Sequence, residues 1–188
     1  MKTAIIIHGM PTKEEFEVSP EQSMQHWLPW LKAALEEKKV ATTVLQMPTP
    51  YAPVYEQWRD MFERIPRTEE TILIGHSAGG GFLVRWLSEN DARVGKVVLV
   101  APWIDPDNID REHRTDFFDF TIEPRLAAKT DGITVFISRD DDIPMLRTVE
   151  ELDKHIPGIR IIWKKDMGHF TEADGVIEFP ELLKELSV

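Results

Sequence analysis

The sequence predicts an α/β fold in which a mostly parallel central sheet is covered by helices on both faces. Short apolar runs at residues 4–7 and 97–101 are continuous rather than alternating, which is typical of strands buried on both faces. Segments with the periodicity of amphipathic helices lie between such runs. Because strands and helices alternate along the whole chain, a parallel sheet with helical connections is the expected architecture.

Each remaining element follows from local signals. Ser19 and Pro20 provide a capping serine and a proline at the first helical position, which predict a helix start there. Pro29 implies a kink or a restart within the helical pattern that follows. The expected elements, in chain order, are strands at 4–7, 40–46, 71–74, 97–101, 133–137 and 159–163, and helices around 26–35, 54–65, 82–87, 122–129, 146–156 and 176–186.

The composition is that of a soluble globular protein with one domain over residues 1–188. The net charge is −11 without a basic cluster, which argues against nucleic acid and anionic membrane surfaces as partners. No stretch approaches the ~20 apolar residues of a membrane span. The absence of cysteine excludes disulfides, thiolate nucleophiles and cysteine-ligated zinc. We therefore expect a cytoplasmic protein.

The stretch 71–81 carries the strongest chemical signal. An aliphatic run leads into Gly75-His76-Ser77-Ala78-Gly79, and a helical pattern follows. A strand that breaks at G-x-S-x-G and continues as a helix is a nucleophile elbow, in which the tight turn requires small flanking residues and exposes the serine hydroxyl. The alternative interpretation is that Ser77 caps the helix. His76 is expected to pack or hydrogen-bond behind the turn rather than to act as a base.

Other candidate residues fall at the carboxyl ends of predicted strands, where parallel sheets bind ligands. They are the turn after the first strand, the aspartate run 140–142 and His169. A serine hydroxyl needs a base within hydrogen-bond reach, which His169 supplies, and an aspartate orients the ring. The alternatives are a loop histidine and a solvated acidic loop or weak cation site. We interpret His26, His113 and His155 as surface or structural residues, because they lack metal-ligand spacing.

An oxyanion site and a substrate pocket are expected beside the serine. The N–H of Ala78 would be one oxyanion donor, and the backbone around Gly9 and Met10 would supply the second. Gly9 and Trp103 are the pocket candidates, and Phe117, Phe118 and Phe120 are further candidate walls. For the first turn the alternative is an ordinary strand–helix connection, and for the aromatic residues it is packing of a long loop.

With these residues in place, the chain resembles the small α/β-hydrolases of the YdeN and retinoblastoma-binding-protein-9 type. The resemblance covers nearly the whole chain and includes the segments 7–9, 26–31, 47–50, 75–79, 138–141 and 168–170. The Trp-Leu-Pro-Trp and Met-Pro-x-Pro pieces within it are not general hydrolase features. The resemblance implies a compact fold without a large cap domain and a Ser-Asp-His triad.

The acid of the implied triad is a choice between two neighbours. In the family it follows the strand-ending serine or glycine by three residues and precedes a proline by four. Asp141 satisfies the first spacing and Asp140 the second. We choose Asp141, because the strand end determines where the carboxylate leaves the sheet, whereas a deletion in the following loop is easily absorbed.

The leading hypothesis is a serine hydrolase that cleaves small esters, thioesters or amides through an acyl-enzyme. Ser77 attacks, His169 acts as base and then acid, and Asp141 orients the histidine. The expected partner is a small-molecule acyl substrate, and no metal or organic cofactor is implied. The alternative hypothesis is a protein-interaction module that keeps the hydrolase fold with a weak or idle triad, in which case a protein partner of unknown identity would bind.

Overall fold

A computed structural model describes residues 2–109 and 116–188, and His113 lies outside this part of the chain. The strands are β1 (Thr3–Ile7), β2 (Ala41–Leu45), β3 (Ile72–His76), β4 (Val97–Val100), β5 (Ile133–Ser138) and β6 (Arg160–Lys164). They form one sheet in the order β2-β1-β3-β4-β5-β6, and every neighbouring pair is parallel. The predicted parallel α/β architecture is therefore confirmed.

Helices lie in the β1–β2, β2–β3, β3–β4 and β5–β6 connections, and the last helix follows β6. They are α1 (Lys13–Val18), α2 (Leu28–Glu37), α3 (Tyr55–Glu63), α4 (Ala78–Glu89), α5 (Ile143–His155) and α6 (Pro180–Glu185), with 3-10 turns at Gln22–Met24 and Leu126–Lys129. In the described part of the chain no helix combines the length and the apolar character needed to cross a membrane.

The expected helix start at Ser19 is wrong. A helix ends just before Ser19, and its capping box is made by Thr12 and Glu15: the Thr12 hydroxyl accepts the Glu15 N–H at 3.2 Å and the Glu15 carboxylate accepts the Thr12 N–H at 2.7 Å. Pro29 lies in the first turn of α2, so it marks a restart and not a kink. Residues 122–129 contain only a 3-10 turn instead of a helix.

Burial across the sheet explains why apolar and polar residues do not alternate along the central strands. Every residue of β3, β4 and β5 is buried, whereas the edge strands β2 and β6 include exposed positions. Strands covered by helices on both faces are largely apolar, which is the pattern found in the sequence, although β5 also buries Thr134 and Ser138.

The strand order positions a binding crevice beside β1. The chain runs from β1 to β2 on one side, then crosses to β3 on the other side of β1. In open parallel sheets such a reversal leaves a crevice at the carboxyl ends of the two strands. His8, which follows β1, and Ser77, which follows β3, therefore come together at this crevice.

Candidate active site

Ser77 lies between β3 and α4 with φ 52° and ψ −124°, a backbone conformation that L-residues rarely adopt. The turn is tight because its glycines leave no room for side chains. A Cβ on Gly75 would lie 2.6 Å from the Gly80 nitrogen, and one on Gly79 would lie 2.4 Å from the His8 carbonyl oxygen. Such a strained residue at the end of a strand is a frequent mark of a functional site.

The strained turn is held by backbone hydrogen bonds that leave the serine side chain uninvolved. The Ser77 N–H donates to the Val100 carbonyl at 2.9 Å, and the Ser77 carbonyl accepts N–H groups of Gly80 at 2.9 Å and Trp103 at 3.1 Å. The hydroxyl makes no capping bond to α4. Ser77 therefore occupies the N-cap position of α4, as the alternative interpretation expected, but its hydroxyl does not cap the helix.

His169 and Asp141 are brought together from loops that follow β6 and β5. The His169 Nδ1 lies 3.0 Å from one carboxylate oxygen of Asp141 and 3.2 Å from the other. The Asp141 side chain is 1% exposed and also accepts the Asp142 N–H at 2.8 Å. A buried carboxylate on Nδ1 orients the ring and stabilises an imidazolium.

Asp140 has a different set of contacts. Its Oδ1 accepts the Ser138 hydroxyl and, at 3.2 Å, the Gly168 N–H, while the Ser138 Oγ accepts the Met167 N–H at 3.0 Å. The bond from Ser138, followed by the backbone N–H contacts, lowers the pKa of the Asp140 carboxyl. Asp140 thus braces the loop that carries His169, whereas Asp141 touches the imidazole itself.

Asp174 completes the support of this loop. Its Oδ2 accepts the His169 N–H at 3.0 Å, the Thr171 N–H at 2.9 Å and the Thr171 hydroxyl at 2.7 Å. Gly168 adopts φ +48°, and a Cβ there would lie 2.1 Å from Asp174 Oδ1. Only glycine fits this turn, which lets the chain bend sharply just before His169.

A cavity of about 640 Å³ opens at the crevice beside β1 and is lined by Ser77, His169, Gly9 and Met10 among others. A Cβ on Gly9 would lie 3.0 Å from the Ser77 Cβ and 3.5 Å from its Oγ, so a side chain there would crowd the serine. Trp103 does not line this cavity; its ring packs against Phe118 at 5.4 Å. The expected role of Trp103 as a pocket wall is corrected accordingly.

Of the two backbone groups expected around an oxyanion, Met10 lines this cavity and Ala78 directly follows Ser77 at the start of α4. Ala78 is the first residue of α4, and the first N–H groups of a helix have no partner within it. Met10 lines the same cavity as Ser77. The positive end of the α4 dipole adds to the attraction for a developing negative charge beside Ser77.

Two buried histidines hold the backbone around the cavity. His8 accepts the Met47 N–H on Nε2 at 2.9 Å and donates from Nδ1 to the Gly9 carbonyl at 2.7 Å. His76 donates from Nε2 to the His169 carbonyl at 2.8 Å. Burial lowers the pKa of His8 to about 4 and that of His76 well below its ordinary value, so both rings are neutral. The expectation that His76 bonds behind the turn agrees with this contact.

His26 was expected to be a surface or structural residue, and its contacts are those of a structural residue that also borders the cavity. It lines the cavity and packs edge-on against His76, with ring centroids 5.6 Å apart. Its Nδ1 accepts a hydrogen bond from the backbone N–H of Glu172, which is 146 residues away along the chain. A contact over that separation has no local sequence signal. His155, in contrast, lies on α5 with its side chain 40% exposed, as expected.

Comparison with known proteins identifies the family of this chain. Residues 16–188 match the family model described as Serine hydrolase. The chain belongs to the serine hydrolase family. It is 27% identical to the Bacillus subtilis hydrolase YdeN over 186 residues, which cover 95% of this chain and 91% of YdeN. The crystal structure of the B. subtilis ydeN gene product superposes with a TM-score of 0.84 and 25% identity, covering 100% of this chain and 97% of that one.

Esterases share the fold at lower identity. Est1E from Butyrivibrio proteoclasticus superposes with a TM-score of 0.67 and 13% identity over 99% of this serine hydrolase and 88% of Est1E. The esterase domain of a Rhodothermus marinus protein superposes with a TM-score of 0.68 and 16% identity, covering 98% of this chain and 85% of that one. The chain is a hydrolase, and none of these matches favours the alternative of an interaction module.

Proposed function

We propose that this serine hydrolase cleaves small ester, thioester or amide substrates through an acyl-enzyme, with Ser77, His169 and Asp141 as the catalytic triad. The observation that carries the proposal is the hydrogen bond between His169 Nδ1 and the buried Asp141 carboxylate, at the cavity that Ser77 lines from a strained elbow. Nucleophile, base and orienting acid are the three parts that acyl transfer by a serine requires.

The first half-reaction forms the acyl-enzyme. The Ser77 Oγ attacks the substrate carbonyl carbon while His169 Nε2 takes the hydroxyl proton, and Asp141 stabilises the resulting imidazolium through Nδ1–H. The tetrahedral intermediate then collapses and breaks the bond to the leaving group. His169 returns the proton to the departing alcohol, thiol or amine.

The second half-reaction releases the acid. A water molecule gives a proton to His169 and attacks the acyl carbonyl, and collapse of the second tetrahedral intermediate restores the Ser77 hydroxyl. The N–H of Ala78 and that of Met10 are the proposed donors to the oxyanion in both steps. Each such donor contributes about 3–4 kcal/mol to lowering the barrier.

The cavity supports a small-molecule substrate. Its volume of about 640 Å³ lies within the ~300–1,000 Å³ range of small-ligand sites. Its walls combine apolar side chains such as Met10 and Val18 with polar side chains, among them three glutamates and the groups around Ser77. That mixture suits a short acyl chain whose carbonyl carries the polar contacts.

Covalent labelling tests the role of Ser77. The wild type should react with a fluorophosphonate probe and turn over a short-chain nitrophenyl ester, and Ser77→Ala should abolish both, because it removes the proposed nucleophile. Ser88→Ala is the matched control: this serine lies on the same helix, where its hydroxyl bonds the Val84 carbonyl, and the variant should label normally. Labelling or turnover that survives in Ser77→Ala would contradict the proposal.

A further inference from the structure

His26 has one ring nitrogen committed to the backbone, which determines where its proton lies. The Glu172 N–H donates to His26 Nδ1 at 3.0 Å. A backbone N–H only donates, so Nδ1 must present its lone pair. The neutral ring therefore carries its proton on Nε2 and offers a hydrogen-bond donor there.

The ring is uncharged in the physiological range. Burial lowers the pKa of His26, and this effect outweighs the opposing influence of the carboxylates of Glu172, Glu15 and Asp174. An uncharged imidazole donates one ordinary hydrogen bond and does not attract anions by charge.

The Nε2–H of His26 lacks an acceptor within the part of the chain that the structure describes, although His26 lines the same cavity as Ser77 and His169. The backbone at His26 has φ 56°, an unfavourable conformation for a histidine. Strain of this kind persists where the surroundings impose it and often accompanies ligand contacts. The neighbouring His76 has its Nε2 engaged on the His169 carbonyl, so it does not offer the same donor.

The charges of the cavity wall limit which acceptor this donor can take. Glu14, Glu15 and Glu172 line the cavity, and no lysine or arginine does so among the described residues. Since a carboxylate or phosphate oxygen would meet these like charges without a compensating cation, an uncharged oxygen is favoured.

We propose that His26 Nε2–H is a substrate-binding donor that recognises an uncharged oxygen, such as an ether, hydroxyl or carbonyl oxygen, in the chain of the ester or thioester. This inference rests on the proposed function, because the substrate must first be positioned over Ser77. His26 then selects oxygen-bearing chains over plain hydrocarbon chains of equal length. One neutral hydrogen bond corresponds to a preference of about five- to tenfold.

An oxygen scan tests this selection. Nitrophenyl hexanoate is compared with analogues in which one acyl methylene at a time is replaced by oxygen, and hexyl acetate with the corresponding series in its alcohol chain. Each kcat/KM is divided by the hydroxide-catalysed rate to remove differences in intrinsic reactivity. The wild type should favour one oxygen position about five- to tenfold, and His26→Phe should lose that preference.

Further variants separate recognition from folding. His26→Gln, which keeps a donor N–H near the Nε2 position, should retain part of the preference, and His155→Phe on the surface of α5 should retain all of it. Equal oxygen preferences in wild type and His26→Phe would overturn the inference while leaving the proposed function intact. Absence of Ser77-dependent turnover with every ester would overturn both.

A charged analogue tests the choice of an uncharged oxygen. The mono-nitrophenyl ester of adipic acid ends in a carboxylate and should react more slowly than nitrophenyl hexanoate in the wild type. If the wild type instead favours this anion and His26→Phe abolishes that preference, His26 belongs to an anion site and the inference is wrong.

Discussion

Asp140 and Asp141 show how two adjacent carboxylates acquire separate roles from the directions in which they leave one turn. Asp141 is buried against the His169 imidazole, while Asp140 accepts the Ser138 hydroxyl and the Gly168 N–H from the loop. One acts on the ring and the other on the backbone that carries the ring. Substitutions at these two positions should therefore have effects of different size.

We expect Asp141→Asn to lower kcat about a thousandfold or more, because an amide cannot stabilise the imidazolium and permits the wrong tautomer. Asp140→Asn should lower kcat only about tenfold through a looser loop. Steady-state hydrolysis of a nitrophenyl ester measures both, and Asp142→Asn is the neighbouring control. A larger loss in Asp140→Asn than in Asp141→Asn would show that the acid has been assigned to the wrong residue.

His76, which directly precedes the proposed nucleophile Ser77, is hydrogen-bonded to the backbone of the proposed base His169. Its Nε2–H donates to the His169 carbonyl at 2.8 Å in a fully buried environment. Side chains of a catalytic site must be held within about 0.5 Å of their productive positions. His76 is therefore a positioning residue that acts through His169.

Loss of this bond should reduce kcat with little change in KM. His76→Phe fills the space without a donor, and we expect a fall in kcat of about 10- to 100-fold. His76→Gln, whose amide N–H can reach the same carbonyl, should restore part of the rate. Kinetics together with thermal unfolding separate positioning from folding, and equal rates in the two variants would argue against a specific role for the hydrogen bond.

At the scale of elements, the close packing of α4 against the end of β1 determines how tightly the chain turns at Ser77. α4 begins with Ala78 and three glycines, all buried, which brings its first turn against neighbouring backbone. Glycine in a helix interior ordinarily weakens the helix by up to ~1 kcal/mol relative to alanine. The close approach of α4 to the turn after β1 requires glycine at position 79, whereas Gly80 and Gly81 lie against Pro102 and the Trp103 carbonyl.

Alanine at these glycines should therefore destabilise the protein despite its better helix propensity. A Cβ on Gly79 would lie 2.4 Å from the His8 carbonyl oxygen, whereas one on Gly80 would lie 3.0 Å from the Pro102 Cβ. We expect Gly79→Ala to cost about 3 kcal/mol of unfolding free energy and Gly80→Ala clearly less. Urea denaturation measures both, and the reverse order would mean that the α4 contact is misassigned.

For the whole molecule, the buried neutral histidines make stability depend on pH. The unfolded chain protonates His8 near its ordinary pKa of 6.5, whereas burial lowers the folded value to about 4. Between these values the unfolded state binds more protons, so the free energy of unfolding falls as pH falls. His76 and His26, whose pKa values are also lowered, act in the same direction.

From pH 7 to pH 5 we expect His8 alone to remove about 2 kcal/mol from the free energy of unfolding. Urea denaturation at several pH values measures the slope. His8→Gln should reduce this slope and leave the part that comes from His76 and His26. A stability that stays constant from pH 7 to pH 5 would contradict the assignment of buried neutral rings.

Elements with strong local signals were predictable, and those whose form depends on distant contacts were not. The central strands and the elbow follow from continuous apolar runs and glycine spacing. α1 was missed although its Thr12 and Glu15 capping box is visible in the sequence, because a six-residue helix without buried residues shows no apolar period. The segment 122–129 has a helical composition, yet packing leaves only a 3-10 turn.

The sequence by itself determined the fold class, the elbow serine and the order of the candidate residues, since these depend on local backbone chemistry and on alternating strands and helices. Only the tertiary structure decided which aspartate meets His169, that His26 faces the cavity, and that Trp103 does not. Each of those outcomes depends on where side chains from distant loops point at the carboxyl edge of the sheet. The direction of each side chain at that edge is determined by packing between residues that are distant in the sequence. Such packing leaves no regular period or spacing along the chain.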